Sequence, residues 1–434
     1  MKKKVLALLL SLMLAGASLA GCNNAPAEPS KGGASTNGSE SQQEPAEEVT
    51  LTYYGFSDWT GTEPFEAAYK EAVEKFESEN PGYKIDLQGD PWGDWEQKYK
   101  TMFASGSPAD IFVTNNPDFP TFANSENLLN LDEYVEDGYF EDFFPGVLSM
   151  YQWKGQHMAI PFTTDCRILW YNKDIFKDAG LDPEKPPKTG EEMVQYAKQI
   201  TEKTGKYGFG MDLGLKEFPM QSAFCASNGS IINVADDGTV TPNVNTDEYK
   251  GYLQTLLDLK PTFEPDYANL DHHDVAKQFT EGQFGMIIGG TLVETDIYQK
   301  DFYGQALVPK MNDSAPDGSF GGGFGICVSN QTKAPEQAVK FAQILCSPEF
   351  NGKLISDIPA SNKGLEKSSF ASDDKFKTIL EQIQFARQAQ PKTLYYAEID
   401  AAAYDTVVEV VVGGKSIDDA VKDLEQKIND IVKG

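Results

Sequence analysis

The sequence predicts an α/β protein of two lobes, on three observations. Strand-like and helix-like patterns alternate from Val49 to Asn115, the alternation resumes after Ile160, and a polar tether separates both from an apolar N-terminus. "VTLTYYG", Val49 to Gly55, has the period of two expected of a half-buried strand. "EPFEAAYKEAVEKFESENPG" then sets Phe65, Ala68, Tyr69, Ala72, Val73 and Phe76 on one helical stripe until Pro81 and Gly82 stop it. "YKIDLQ" reads as a strand, "WGDWEQKYKTMFASGSP" as a helix with Trp95, Tyr99, Met102 and Phe103 inward, and "ADIFVTN" as a third strand. Strands joined by helices make a parallel sheet, and ligands of such sheets gather at the carboxyl ends of the strands. Those ends are the loops "GFSDWTG", "GDPWGDW" and "TNNPDF".

"IPFTTDCRILWYNKDIF", Ile160 to Phe176, reads as one further strand. Alternation puts Asp165, Arg167, Leu169 and Tyr171 on one face and Cys166, Ile168 and Trp170 on the other. Charges so placed are paired in the core, solvated at an edge or exposed to a binding cavity. Thr189 and Glu192 form a capping box for a helix with Met193, Tyr196, Ala197 and Ile200 inward, closed by Gly205. "KYGFGM" as a strand, helices near 215–227, 246–259 and 273–281, and "FGMIIGG" as a strand imply the second lobe. Strands near "GQALVP" and "GFGICVS" flank a Gly-rich turn, and "APEQAVKFAQILCSPEF" is an amphipathic helix. The C-terminus is helical, with Ile417, Ala420, Val421, Leu424, Ile428 and Ile431 in one apolar stripe.

With 434 residues, 40% of them hydrophobic, the chain is long and apolar enough for two or three folded domains. Its 66 acidic and 37 basic residues give a net charge of −29 without a basic stripe, which excludes nucleic acid as a partner. "MKKK", the apolar run Val5 to Leu19 and "LAGC" make residues 1–21 a secretory signal peptide, whose apolar run is shorter than the ~20 residues of a spanning helix. Asn23 to Glu48, rich in Pro, Gly, Ser and Glu, is a flexible spacer. Cys166, Cys225, Cys327 and Cys346 show no CxxC spacing and lie among apolar neighbours. They read as buried free thiols, with three disulfide connectivities left open.

Catalytic motifs are missing. The three histidines, His157, His272 and His273, form no HExxH, and there is no GxSxG elbow and no GxxxxGK[ST] loop. "GGGFG", Gly321 to Gly325, leads into a strand rather than a helix and fails the dinucleotide pattern. No metal and no cofactor is expected. No spacing singles out a carboxylate pair for glycoside hydrolysis, although 66 acids always supply candidates. All five tryptophans fall in the first 170 residues, and Trp59, Trp92 and Trp95 stand beside acids at the strand-end loops. Such pairings suit a sugar, whose C–H faces stack on aromatics and whose hydroxyls seek carboxylate, amide and guanidinium partners. Trp95 reads equally as a core anchor.

Two resemblances sharpen these readings. "LAGC" resembles the bacterial lipobox, which implies that Cys22 is diacylated, becomes the new N-terminus and tethers the protein, through residues 22–48, to the outer face of the cell membrane. The ordered stretches "LTYYG", "FESENPGYKIDL", "ASGSPADIFVTN", "GQHMAIPFTTDCRILWYNKDIFKDAGLDPEKPPKT", "FTEGQFGMIIGGT", "GGGFGICVS", "AVKFAQILCSPEF" and "QPKTLYYAEI" resemble the extracellular solute-binding proteins of ABC sugar importers, similar to maltose-binding protein. That resemblance implies a periplasmic-binding-protein-like fold, monomeric and not an enzyme, with discontinuous lobes at 49–160 plus 312–348 and 161–311 plus 349–434. A hinge near Pro161, Pro309 and Pro348 would close over a carbohydrate ligand, expected to be an oligosaccharide, and deliver it to the membrane permease subunits. The cleft residues it implies are Asp58, Trp59, Asn116, Asp165, Arg167, Gly290, Thr291, Gly322, Gly323 and Tyr396, with a looser match at Phe218. Trp92 and Trp95 match only in kind. Two other readings stay open, a lipid-anchored carbohydrate-active enzyme and a binding protein for a non-sugar solute. Asp165 and Arg167 also admit a purely internal ion pair.

Overall fold

Two sheets organise the chain, each built from the alternation described above, in a computed structural model. The structure describes residues 48–434 except 58, 62–64, 215–223, 225–228, 236–237, 292–295, 312–314, 316, 355–357 and 389–390. The signal peptide, Cys22, the tether, Asp58, Phe218, Cys225 and the helix expected near 215–227 therefore lie outside the described residues, but for Glu48 and Phe224. Among the described residues no helix is long and apolar enough to cross a membrane.

In the first sheet, β1 (Val49–Gly55) pairs in parallel with both β2 (Tyr83–Gly89) and β3 (Ile111–Asn115). The connections are α1 (Glu66–Glu79) and α2 (Trp92–Ala104), which bury Tyr69, Ala72 and Phe76 and Trp95 and Tyr99 respectively. Strand β9 (Ser319–Val328), from far along the chain, runs antiparallel between β3 and β4 (Ile160–Cys166). Short strands β10 (Ile358–Pro359) and β11 (Ala386–Arg387) add to β4 and β9. Helix α6 (Pro335–Leu345) covers this sheet with Ala338, Val339, Phe341, Ala342 and Leu345.

The second sheet runs β8 (Tyr303–Ala306), β5 (Ile168–Asn172), β7 (Phe284–Gly289), β6 (Tyr207–Gly210). Its helices are α3 (Gly190–Thr204), α4 (Asp247–Leu259) and α5 (His272–Thr280), joined by the C-terminal pair α7 (Tyr396–Val411) and α8 (Ile417–Lys433). Thr189 caps α3 by accepting the Glu192 N–H at 3.2 Å, while the Glu192 carboxylate takes the N–H of Lys188 rather than that of Thr189. Gly205 ends the helix at φ 70°, the left-handed position that glycine occupies without strain. In α8 the stripe Ala420, Val421, Leu424 and Ile428 is buried, and each large apolar side chain so placed contributes about 1.5–3 kcal/mol.

The stretch from Ile160 to Phe176, expected as one strand, is two strands followed by the start of a short helix, Lys173–Asp178, which Asn172 caps by accepting the N–H groups of Asp174 and Ile175. Strand β4 belongs to the first sheet and β5 to the second, and the chain crosses between them at Arg167. The expected crossing at Pro161 gives way to this one: Pro161 pairs with Gly325 inside the first sheet, at an irregularity of register between Phe324 and Gly325. A bulge is one of the few places where a sheet accepts proline, which has no N–H to give to the ladder. The share of the first sheet also runs past Pro348, since Phe350 and Ala360 lie in its core. A third apolar cluster joins Cys166, Ile358 and Ala386 of the first sheet to Ile168, Trp170, Phe284 and Ile287 of the second.

Candidate solute-binding site

The carboxyl ends of β1, β2 and β3 present the first group of candidate residues. Trp59 has φ 56°, a conformation rare for a bulky residue, and its N–H reaches the Ser57 hydroxyl at 3.1 Å. Its ring meets Tyr69 edge to face at 4.9 Å and Tyr53 at 6.1 Å, and its buried indole N–H has no partner. Trp92 begins α2. Trp95 is 3% exposed and sits between Phe56 and Phe324 at 6.1 and 6.3 Å, so of its two readings the structure gives the core anchor. Asp90 accepts the Tyr54 O–H at 2.6 Å and pairs with Lys98. Burial pushes the Asp90 carboxyl up, but the Lys98 and Tyr54 hydrogen bonds outweigh it and hold the group below its usual range.

Asn116, Asp165, Arg167 and Gly322 come together where β3, β9 and β4 end. Gly322 lies opposite Asp165 in the ladder and donates its N–H to Asp165 Oδ1 at 2.8 Å. A Cβ at Gly322 would stand 3.0 Å from that oxygen and 3.6 Å from Asn116 Oδ1, so glycine lets the two side chains approach one backbone strand. The Asn116 side chain is buried with its amide nitrogen unpartnered. Arg167 Nη1 donates to Asp165 Oδ2, and its guanidinium lies 5.1 Å over the Phe320 ring. The Asp165 and Arg167 side chains keep 31% and 21% exposure, so the pair is neither sealed in the core nor free in solvent. The internal ion pair weighed from the sequence thus exists in this structure. Leu169 and Tyr171, beyond the break, are buried in the core of the second sheet.

Gly323, with φ 143°, lies within β9 opposite Thr164, where the sequence suggested a turn. A Cβ there would approach the Thr163 carbonyl oxygen to 2.1 Å, and its own carbonyl accepts the Tyr151 O–H at 2.8 Å. From the second sheet, the Gly290 carbonyl accepts the indole N–H of Trp170 at 2.9 Å, and the Thr291 carbonyl accepts the Tyr298 O–H. Tyr396 opens α7 and is 4% exposed. Sequence reasoning passed over Arg387, whose backbone nitrogen would lie 3.3 Å from a Cβ on Gly321 and whose Nη2 donates to the Gly229 carbonyl at 3.2 Å. No local motif marks it, because β11 is two residues long.

Among the described residues no group of three or more His, Cys, Asp and Glu could hold a metal ion. Cys166, Cys327 and Cys346 are buried free thiols, and burial pushes all three well above the usual thiol range. Two open surface hollows, of about 620 Å³ beside Lys75 and Lys340 and about 710 Å³ beside Lys250 and Lys415, include none of the candidate residues.

The model of the bacterial extracellular solute-binding proteins matches residues 59–351. The chain belongs to that family. This extracellular solute-binding protein is therefore a transport receptor and not an enzyme. It is 29% identical over 297 residues to the sn-glycerol-3-phosphate-binding periplasmic protein of Escherichia coli, covering 64% of this chain and 66% of that protein. Among solved structures it is similar to the sugar-binding protein MalE of Xanthomonas citri, with a TM-score of 0.76 and 23% identity over 89% of this chain and 98% of that one. The cyclic α-maltosyl-1,6-maltose binding protein of Arthrobacter globiformis gives a TM-score of 0.73 and 22% identity, covering 89% and 99%. A Thermotoga lettingae solute-binding protein bound with α-D-tagatose gives 0.71 and 24%, covering 88% and 100%. These likenesses establish the mixed α/β periplasmic-binding-protein fold.

Proposed function

We propose that this solute-binding protein captures a sugar between its two sheets and delivers it to the permease of an ABC transporter. The observation that carries the reading is the Asn116–Asp165–Arg167–Gly322 group, in which a buried amide donor without a partner stands beside a partly exposed carboxylate and guanidinium. Such a set offers donors and acceptors to adjacent hydroxyls, and Trp59, past the carboxyl end of β1, the strand paired with β3, offers an apolar face. An unpartnered buried N–H costs free energy until a ligand oxygen takes it. Sugars bound by proteins of like fold support the class. In this reading the lobes are the bodies of the two sheets, with crossings at Arg167, between Ala306 and Ser319 and between Arg387 and Tyr396, and closure brings Gly290, Thr291 and Tyr396 toward the first group. Cys22 carries the lipid, and the spacer to Glu48 holds the receptor at the outer face of the cell membrane.

The test is a titration of the purified protein with mono- and oligosaccharides and with sn-glycerol-3-phosphate, followed by tryptophan fluorescence. The expected result is saturable change with at least one neutral sugar. A response to sn-glycerol-3-phosphate alone, in line with the name of the Escherichia coli relative, overturns the sugar reading. Mass spectrometry of solute retained on the protein names the compound, and labelling with palmitate in cells, lost in Cys22→Ala, checks the anchor.

A further inference from the structure

Glu66 is a carboxylate 1% exposed at the first turn of α1, and nothing in the ligand-binding reading uses it. It has one described side-chain partner: the Ser57 hydroxyl, itself 2% exposed, donates to Oε1 at 2.6 Å, while Oε2 is buried with no partner. The same Ser57 oxygen accepts the N–H of Trp59 at 3.1 Å. A carboxylate is costly to bury without hydrogen bonds, so the one that Ser57 gives it matters to the fold. What it holds is specific. Ser57 can give its one hydrogen to Glu66 only by turning a lone pair toward Trp59, and Trp59 is the residue of the loop whose backbone sits at φ 56°. The Ser57 hydrogen bond supports that conformation, in which the ring meets Tyr69 and Tyr53 at 4.9 and 6.1 Å.

We propose that Glu66, acting through Ser57, is a positioning residue that presets Trp59 for the bound solute. The inference rests on the reading of Trp59 as a sugar-facing aromatic, and its value is preorganisation: the ring is placed before the solute arrives, so binding does not bear the cost of ordering it.

The protein carries five tryptophans, so labelling with 5-fluorotryptophan gives a countable set of fluorine resonances, with that of Trp59 identified by its loss in Trp59→Phe. Ser57→Ala and Glu66→Leu should shift or broaden the Trp59 line, leave the other lines in place, and weaken binding of the panel sugar that the native protein takes by about fivefold. Glu66→Gln, which keeps an acceptor for Ser57, should preserve the line and keep affinity within about twofold. In a Trp59→Ala background Ser57→Ala should cost no further affinity, because the two changes act through one ring. A Trp59 line unmoved by Ser57→Ala, or Glu66→Gln as damaging as Glu66→Leu, overturns the proposal. If the line moves but Trp59→Ala leaves sugar affinity unchanged, the relay holds the loop and Trp59 is not a sugar contact, which overturns the positioning role and the underlying reading together. A general loss of folding is distinguished by movement of every line.

Discussion

The Ser319 hydroxyl holds both backbone polar groups of Arg167, accepting its N–H at 2.9 Å and donating to its carbonyl at 2.7 Å. One side chain on β9 thereby replaces the ladder partners that Arg167 lacks as the chain passes from the first sheet to the second. With Ser319 fully buried, Ser319→Ala leaves a donor and an acceptor of the main chain without their partner. The expected cost is about 1–3 kcal/mol, read as a lower midpoint in urea unfolding with the slope unchanged. An unaltered midpoint would show that water replaces the hydroxyl freely.

Gly323 and Gly290 were both expected in the site, and the structure separates them by what surrounds them. A Cβ on Gly323 would collide with the Thr163 carbonyl and require φ 143°, whereas at Gly290 it would meet nothing within 4 Å. Gly323→Ala should destabilise the protein by more than about 2 kcal/mol, or prevent folding. Gly290→Ala should leave stability within about 0.5 kcal/mol, so that any change in solute affinity it causes is local. Thermal unfolding of the two variants side by side checks both.

Trp95 and Trp59 divide stability from binding. Removing the Trp95 indole from between Phe56 and Phe324 opens a cavity in the core of the first sheet, and Trp95→Ala should cost about 3–5 kcal/mol. Trp59 is only half-buried and its indole N–H has no partner, so Trp59→Ala should cost distinctly less stability while weakening solute binding. Chemical unfolding together with the fluorescence titration separates the two outcomes, and equal losses of stability would contradict the assignment of Trp95 alone to the core.

Much of this architecture was legible in the sequence, and what was not has a physical reason. Strand β1 was expected and found at Val49 to Gly55, because its period of two is local information. The break at Arg167 was not, because Ile160, Phe162, Cys166, Ile168 and Trp170 fall on one face of a single extended run, and such a pattern cannot say which sheet a strand joins. The partner that stabilises the break, Ser319, lies 152 residues away. Pro161 suggested a hinge, yet a bulge opposite Gly325 satisfies it equally well. Family resemblance brought Asn116, Asp165, Arg167 and Gly322 to attention, and the geometry brings those four into one group. It could not reveal Glu66, since an acid on an amphipathic helix ordinarily faces water.

Lys392 is a last residue whose chemistry departs from its surroundings. It lies between β11 and α7, donates to the carbonyls of Ser149 and Gln152, and burial pushes its pKa down to about 8. Below that value the amine is protonated in both the folded and unfolded chain, and the native state bears the full cost of the buried ammonium. As pH rises through about 8, the folded protein releases the proton while the unfolded chain, whose lysine titrates at 10.5, still holds it. Stability rises with pH wherever the unfolded state binds more protons, so this residue contributes a stabilising trend between those two values. Urea midpoints of the native protein and of Lys392→Met, measured from pH 7 to 10, isolate it from the other lysines and tyrosines that titrate nearby. The native protein should gain on the variant as pH increases across the window, and a constant difference would mean that the two carbonyls hold the ammonium as well as water does.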